Sequence, residues 1–143
     1  FVIVAPEEEM KEITRKLMRI GLDRIAGFIS DVNLPGIELQ KADVIGIEEF
    51  KTYLGKEEVQ IVDVRGKTEY EEGHVEGAEN VFVGTLPQNL DKISREKQVV
   101  IHCQSGDRSA IAYSVLRRNG FNNVKNYSGG MKEWGEKGNP VIN

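Results

Sequence analysis

The chain has 143 residues, 39% apolar and 29% charged, with 15 glycines and 4 prolines, a composition that fits a folded globular chain and excludes fibrous and disordered classes. Its 19 basic and 23 acidic side chains give a formal charge of −4 with the signs interspersed, which argues against nucleic acid or an anionic membrane as the main partner. The longest uninterrupted apolar run, residues 1–5, is far short of the roughly 20 residues that cross a bilayer.

Residues 1–5 read as a short strand that turns at Pro6. Glu7, Glu8 and Glu9 suit the positive end of a helix dipole, and Met10, Ile13, Leu17 and Ile20 continue at helical spacing up to a stop at Gly21. Residues 25–29 read as a second strand, and residues 30–42, with Asn33, Pro35 and Gly36, lose periodicity and read as a linker. From Ile45 a second unit begins, with a helix start at residues 46–50, a buried strand over 59–64 and a short helix through Glu69 and Tyr70. A further strand is expected over residues 77–83 and a polar turn or helix over 91–97. The apolar run 99–102 leads to Cys103, then to a helix through Ile111, Val115 and Leu116 that ends at Asn119 and Gly120. Residues 124–127 read as a last strand, and residues 130–138 around Trp134 as a closing helix ended by Pro140. Strands alternating with helices at this pace predict an α/β fold with a parallel sheet, because parallel neighbours need crossover connections.

Sliding the chain on itself by 99 residues places residues 1–4 on 100–103, Leu17 on Leu116, Arg19 on Arg118, Gly21 on Gly120, Ile25 on Val124 and Phe28 on Tyr127. The order strand, helix, glycine stop, strand recurs even where identities do not. On this reading residues 1–42 are the end of a degenerate preceding unit plus a linker, residues 43–143 are a complete domain, and Val4 stands where Cys103 stands. A first residue that is not Met, inside an apolar run, adds the expectation of a longer parent chain.

One cysteine and two histidines, His74 and His102, leave no intramolecular disulfide and no zinc centre of the usual ligand spacings, so no metal or cofactor is expected. The lone thiol fits a reducing, cytoplasmic setting. Cys103 lies between a buried strand and a helix start, where α/β folds place ligands. The loop of Gln104, Ser105, Gly106, Asp107, Arg108 and Ser109 would turn several N–H groups inward, and these with Arg108 would form an anion site. The same field lowers a cysteine pKa from about 8.5 toward neutrality and makes the thiolate a nucleophile. Gly106 allows a tight curl and Ser109 can cap the following helix. His102 precedes Cys103 on a strand and should face the other way, as a packed core residue. His74 reads as a backbone hydrogen-bonder and Trp134 as core or cleft wall.

Four motifs carry a family resemblance: IVDVR at 61–65, GHVEGAENV at 73–81, CQSGDRS at 103–109 and YSGGMKEW at 127–134. Residues 45–143 thereby resemble a rhodanese, a sulfurtransferase domain. The resemblance implies that Cys103 and Arg108 are catalytic, that residues 104–109 cradle the substrate, and that Asp63 and Arg65 form a supporting ion pair or loop anchor. It further implies that Cys103 takes a sulfane sulfur from thiosulfate or a small persulfide and passes it to a thiol or cyanide. Gln104 stands where many members carry a basic residue, which favours persulfide donors.

Four residues separate Cys103 from Arg108, against five in the related phosphatases, and Asp107 would repel a phosphate dianion. A cysteine-dependent phosphatase or arsenate reductase is thus an alternative that the loop length opposes, and a non-enzymatic sensor of reactive sulfur is another. Residues 2–29 also resemble the middle part of fusion proteins in which a metallo-β-lactamase-fold persulfide dioxygenase precedes rhodanese units. That makes such an N-terminal domain an expected partner, beside the small-molecule donor and the thiol acceptor.

Overall fold

The computed structural model of the chain describes residues 1–32, 36 and 41–143. The linker expected over residues 30–42 falls in large part outside the described residues. The chain divides into two compact units, Phe1–Gln40 and Lys41–Asn143.

The first unit is a strand, a helix and a strand. Strand β1 (Val2–Val4) leads through Pro6 into a 3-10 turn (Glu7–Glu9) and helix α1 (Met10–Arg19), and strand β2 (Gly27–Ile29) pairs with β1 in parallel. The three glutamates precede the α-helix instead of opening it, because Pro6 starts a tighter turn and Met10 caps that turn through a bond to Glu7 O. The second predicted strand is shorter than expected, beginning at Gly27, since Ile25 bonds back to Asp23 in a local turn.

The second unit is a five-stranded, all-parallel sheet in the order β3-β7-β6-β4-β5. Its elements follow the chain: β3 (Val44–Ile45), α2 (Ile47–Lys51), β4 (Val59–Asp63), α3 (Lys67–Glu72), β5 (Ala78–Asn80), two 3-10 turns (Val83–Gln88 and Leu90–Lys92), β6 (Gln98–His102), α4 (Asp107–Arg118), β7 (Val124–Tyr127) and α5 (Gly130–Glu136). The strand expected over residues 77–83 is corrected to three residues. Gly77 adopts a left-handed φ of 78° before it, and after it the Asn80 side-chain amide takes the carbonyls of Asp63 and Arg65 as the chain curls into a 3-10 turn.

Alternation along the central strands builds a core on each face of the sheet. Val99, Ile101 and Cys103 face one core with Val62, Val64 and the α4 residues Ala112, Tyr113 and Leu116. Val100 and Ile61 face the other, with Phe50 from α2, Tyr127 from β7, and Met131 and Trp134 from α5. The strand that delivers the cysteine is therefore central, paired on both edges and covered on both faces.

The two units, each taken by itself, repeat one local geometry. In β1 and β2 Val2 pairs with Gly27, and shifted by 99 residues that pair becomes Ile101 with Asn126, which is a pair of β6 and β7. Helices α1 and α4 end at Arg19 and Arg118, and each is followed by a left-handed glycine, Gly21 at φ 79° and Gly120 at φ 82°. Both ends are Schellman motifs: Leu22 N–H donates to Leu17 O at 3.0 Å, and Phe121 N–H donates to Leu116 O at 3.1 Å.

Candidate active site

β6 ends at His102, so Cys103 is the first residue past a buried strand, and α4 starts four residues later. Between them the chain must reverse within three residues. Gly106 makes that possible: it is the N-cap of α4 at φ 98°, and an added Cβ there would lie 2.7 Å from Ser128 O. From behind, the first turn of α5 fixes the loop, with Met131 N–H donating to Cys103 O and Lys132 N–H to Gln104 O, both at 2.9 Å. Gly130, at φ 58°, lets the two segments approach; a Cβ on it would collide with Cys103 O and Gln104 O. With those carbonyls turned away toward α5, the loop's N–H groups are left to face the sulfur, and Gly106 N–H donates to Cys103 Sγ at 3.2 Å.

Cys103 is only 1% exposed, so its sulfur is enclosed by the fold. Burial alone pushes the thiol pKa up, but the Ser109 hydroxyl and the N–H groups of Ser109, Ser105 and Gly106 outweigh it, and the net shift is downward. Ser109 does not cap α4 as expected. It is the third residue of the helix, where its Oγ lies 3.6 Å from Cys103 Sγ and donates to Gly106 O at 3.0 Å. The thiol proton points at that oxygen, and on ionisation the hydroxyl can rotate to donate to the thiolate. Asp107, read as a loop residue, is the first residue of α4, where its carboxylate meets the positive end of the helix dipole.

Arg108, expected in the anion cradle, is paired with a carboxylate of α3. Both its terminal nitrogens are held by Glu69 of α3, Nη1 by Oε2 at 2.5 Å and Nη2 by Oε1 at 2.8 Å. Glu69 Oε2 also accepts the Gly66 N–H at 3.2 Å, which ties the start of α3 to the start of α4. The guanidinium hydrogen bonds hold the Glu69 carboxyl down at about 2. The pair therefore stays ionised at any pH where thiol chemistry proceeds.

Asp63 and Arg65 form a second pair, fully inside the fold. Arg65 Nη2 reaches Asp63 Oδ2 at 2.7 Å, Arg65 Nε reaches the same oxygen at 2.9 Å, and Nη2 also donates to Gly73 O at 2.8 Å. This anchors the β4–α3 turn to the segment that follows α3. His102 packs edge-on against Phe50 on the face opposite Cys103, and burial keeps its ring neutral. His74 Nδ1 bonds Tyr70 O at 2.9 Å, and Trp134 Nε1 donates to Pro140 O at 2.8 Å. Beside Gln104 a cavity of about 380 Å³ opens, lined by Arg65, Glu69, Glu72 and Met131 among others.

Two site residues escape the sequence reading. Glu69 sits 39 positions before its partner, and its only local signal is the spacing of a capping box with Gly66. Gly130 is visible as part of a double glycine, but the need for it comes from a segment far away in sequence. Among the described residues no group of three or more His, Cys, Asp or Glu side chains is placed to hold a metal.

Residues 46–137 match the family model of the rhodanese-like domain. The chain belongs to the rhodanese-like domain family. Over 90 residues the chain is 40% identical to the uncharacterized protein YqhL of Bacillus subtilis, covering 63% of this chain and 70% of that protein. A sulfurtransferase of Allochromatium vinosum is 33% identical over 86 residues, covering 60% of this chain and 80% of its own. Among solved structures, the human single-domain sulfurtransferase TSTD1 superposes with a TM-score of 0.58 at 28% identity, covering 68% of this chain and 98% of its own. In this rhodanese-like domain the matched span contains both arginine–carboxylate pairs and the whole Cys103 loop. It begins after residues 1–42, the proposed remnant and linker, and no helix among the described residues is long and apolar enough to cross a membrane.

Proposed function

We propose that this rhodanese-like domain transfers sulfane sulfur through Cys103. The observation that carries the reading is the buried Cys103 thiol, whose sulfur accepts the Gly106 N–H at 3.2 Å and lies 3.6 Å from the Ser109 hydroxyl, contacts that lower its pKa. Family membership and relatives named sulfurtransferases support the same chemistry.

In the first half-reaction the Cys103 thiolate attacks the outer sulfur of a persulfide RS–SH. The donor S–S bond breaks, RS⁻ leaves with that bond's electron pair, and Cys103–S–SH forms. In the second, an acceptor thiolate attacks the outer sulfur, the protein S–S bond breaks, and Cys103 returns as thiolate. With cyanide as acceptor the product is thiocyanate. With thiosulfate as donor the leaving group is sulfite. No oxidant is consumed. The N–H groups of residues 105, 106 and 109 would hold the terminal sulfur's charge in both halves, a fixed electrostatic stabilisation. The four-residue spacing between Cys103 and Arg108, one shorter than in the related phosphatases, weighs against phosphoryl chemistry.

We further propose that residues 1–42 are the end of a degenerate unit of the same fold plus a linker, with residues 43–143 the working domain. The shared strand register and the shared Schellman caps support this.

The test of the transfer reading follows Cys103 by intact mass after incubation with thiosulfate, a persulfide donor and a generic phosphate ester. The expected outcome is a gain of one sulfur that cyanide or thiol removes and that Cys103→Ser abolishes. Phosphate release with no sulfur gain from any donor would refute the reading. A persulfide that forms and is never turned over would indicate a sensor in place of a transferase.

A further inference from the structure

Glu69 and Arg108 are not neighbours in sequence, yet they form the closest charged contact at the reactive loop, with both carboxylate oxygens on both terminal guanidinium nitrogens. A fork-to-fork pair of this kind fixes direction as well as charge. Arg108 is the second residue of the helix whose N-cap donates to Cys103 Sγ, so its side chain starts within the first helical turn beside the sulfur.

Among the residues that line the cavity beside Gln104, no unpaired cation offsets what Glu69 takes. The other arginine of the site, Arg65, is matched by the buried carboxylate of Asp63. Gln104, next to the cysteine, is neutral, and Asp107 adds a negative charge at the start of α4. Glu69 also forms part of the wall of the cavity beside Gln104, together with Glu72, whose carboxylate makes no ion pair among the described residues. A donor whose body lies in that cavity therefore meets a field that carboxylates dominate.

We infer that Glu69 is a specificity-determining positioning residue, which engages the Arg108 guanidinium and so directs the Cys103 site toward donors with no net charge and away from dianions such as thiosulfate. The inference rests on the sulfur-transfer reading and names the donor class for it. A dianion must either pull Arg108 from Glu69 or approach a site where Arg108 is already neutralised and the Glu72 carboxylate makes no ion pair among the described residues. A persulfide whose own ammonium balances its sulfur charge meets neither cost, and an ammonium in the cavity gains from Glu72.

The experiment compares thiosulfate with cysteamine persulfide, whose ammonium balances its persulfide. Single-turnover sulfur gain on Cys103 is followed by intact mass for the wild type, E69Q, R108Q and E69Q/R108Q. In E69Q the amide oxygen can still accept the Gly66 N–H, while the carboxylate that holds Arg108 is gone. The expected result is that E69Q shifts the ratio of thiosulfate to cysteamine persulfide rates about tenfold toward thiosulfate. In E69Q/R108Q that gain disappears, and R108Q alone shifts the ratio the other way because Glu69 is left unpaired. A purely structural role for Glu69 would slow both donors by one factor, and an unchanged ratio in E69Q would overturn the inference while the transfer reading stood. Retention of the gain in E69Q/R108Q would overturn it too. If E69Q does not fold, as judged by circular dichroism, the R108Q arm decides alone: an unchanged ratio there refutes the inference. No sulfur gain from either donor in the wild type would remove both.

Discussion

After β1 the chain runs Val4-Ala5-Pro6-Glu7; after β6, at the same point of the repeat, it runs Cys103-Gln104-Ser105-Gly106. The frames that hold these two segments agree in strand register, helix end and capping glycine. What differs is what the frame carries. Where Gly106 curls the loop back toward the sulfur, the first unit has Glu7, and where Ser109 meets the thiol it has Met10. Burial differs as well: Val2, Val4 and Phe28 are 53, 57 and 46% exposed, whereas Ile101, Cys103 and Tyr127 at the matching positions are 0, 1 and 0% exposed. A strand-helix-strand frame is thus cheap to keep, because its hydrogen bonds are local. A reactive cysteine needs the rest of the sheet and the α5 turn around it.

The comparison can be broken most directly at the helix that each unit repeats. Leu116 is fully buried under the sheet, so Leu116→Ala should destabilise the chain by about 2–5 kcal/mol, the range for a core leucine. Its counterpart Leu17 is only half-buried, and Leu17→Ala should cost less than about 1 kcal/mol. Urea unfolding of both variants measures the difference, and equal losses would mean that the first unit has a core of its own. Next in size, Gly106→Ala should cost about 1–3 kcal/mol for a non-glycine residue at a left-handed φ pressed on Ser128 O. Thermal unfolding reads this, and alkylation of Cys103 should slow in the same variant. The smallest effect concerns the thiol itself. Ser109→Ala removes a group that lowers the Cys103 pKa, so the pH profile of iodoacetamide alkylation should move to higher pH. A cysteine placed in the first unit by Val4→Cys in a Cys103→Ser background should titrate near the ordinary value of about 8.5. A depressed pKa at position 4 would show that the frame alone suffices.

The sequence makes the reactive strand and its helix easy to read, since each of their signals is local: an apolar run, a cysteine, Gly106, and the glycine stop at Gly120. The parallel sheet follows from the alternation of elements. The pattern that suggests a repeat is legible in the sequence because Leu17, Arg19 and Gly21 sit at fixed distances from one strand. Less is legible where the decisive partner is remote. Arg108 reads as an anion ligand, and nothing local reveals that Glu69, brought in by the β4–α3 turn, holds both its terminal nitrogens. Ser109 reads as a helix cap because Gly106 carries no side chain to suggest that it is the cap itself. The strand over residues 77–83 looks long because nothing local reveals that the Asn80 amide will take the carbonyls of Asp63 and Arg65.

The bonds from Met131 and Lys132 to the carbonyls of Cys103 and Gln104 have a consequence in time as well as in space. During synthesis β6 and the cysteine leave the ribosome before α5 does, and until the closing turn docks those two carbonyls are free to point anywhere. The loop geometry around Cys103 is complete only once the segment that carries Gly130 has folded back onto those carbonyls.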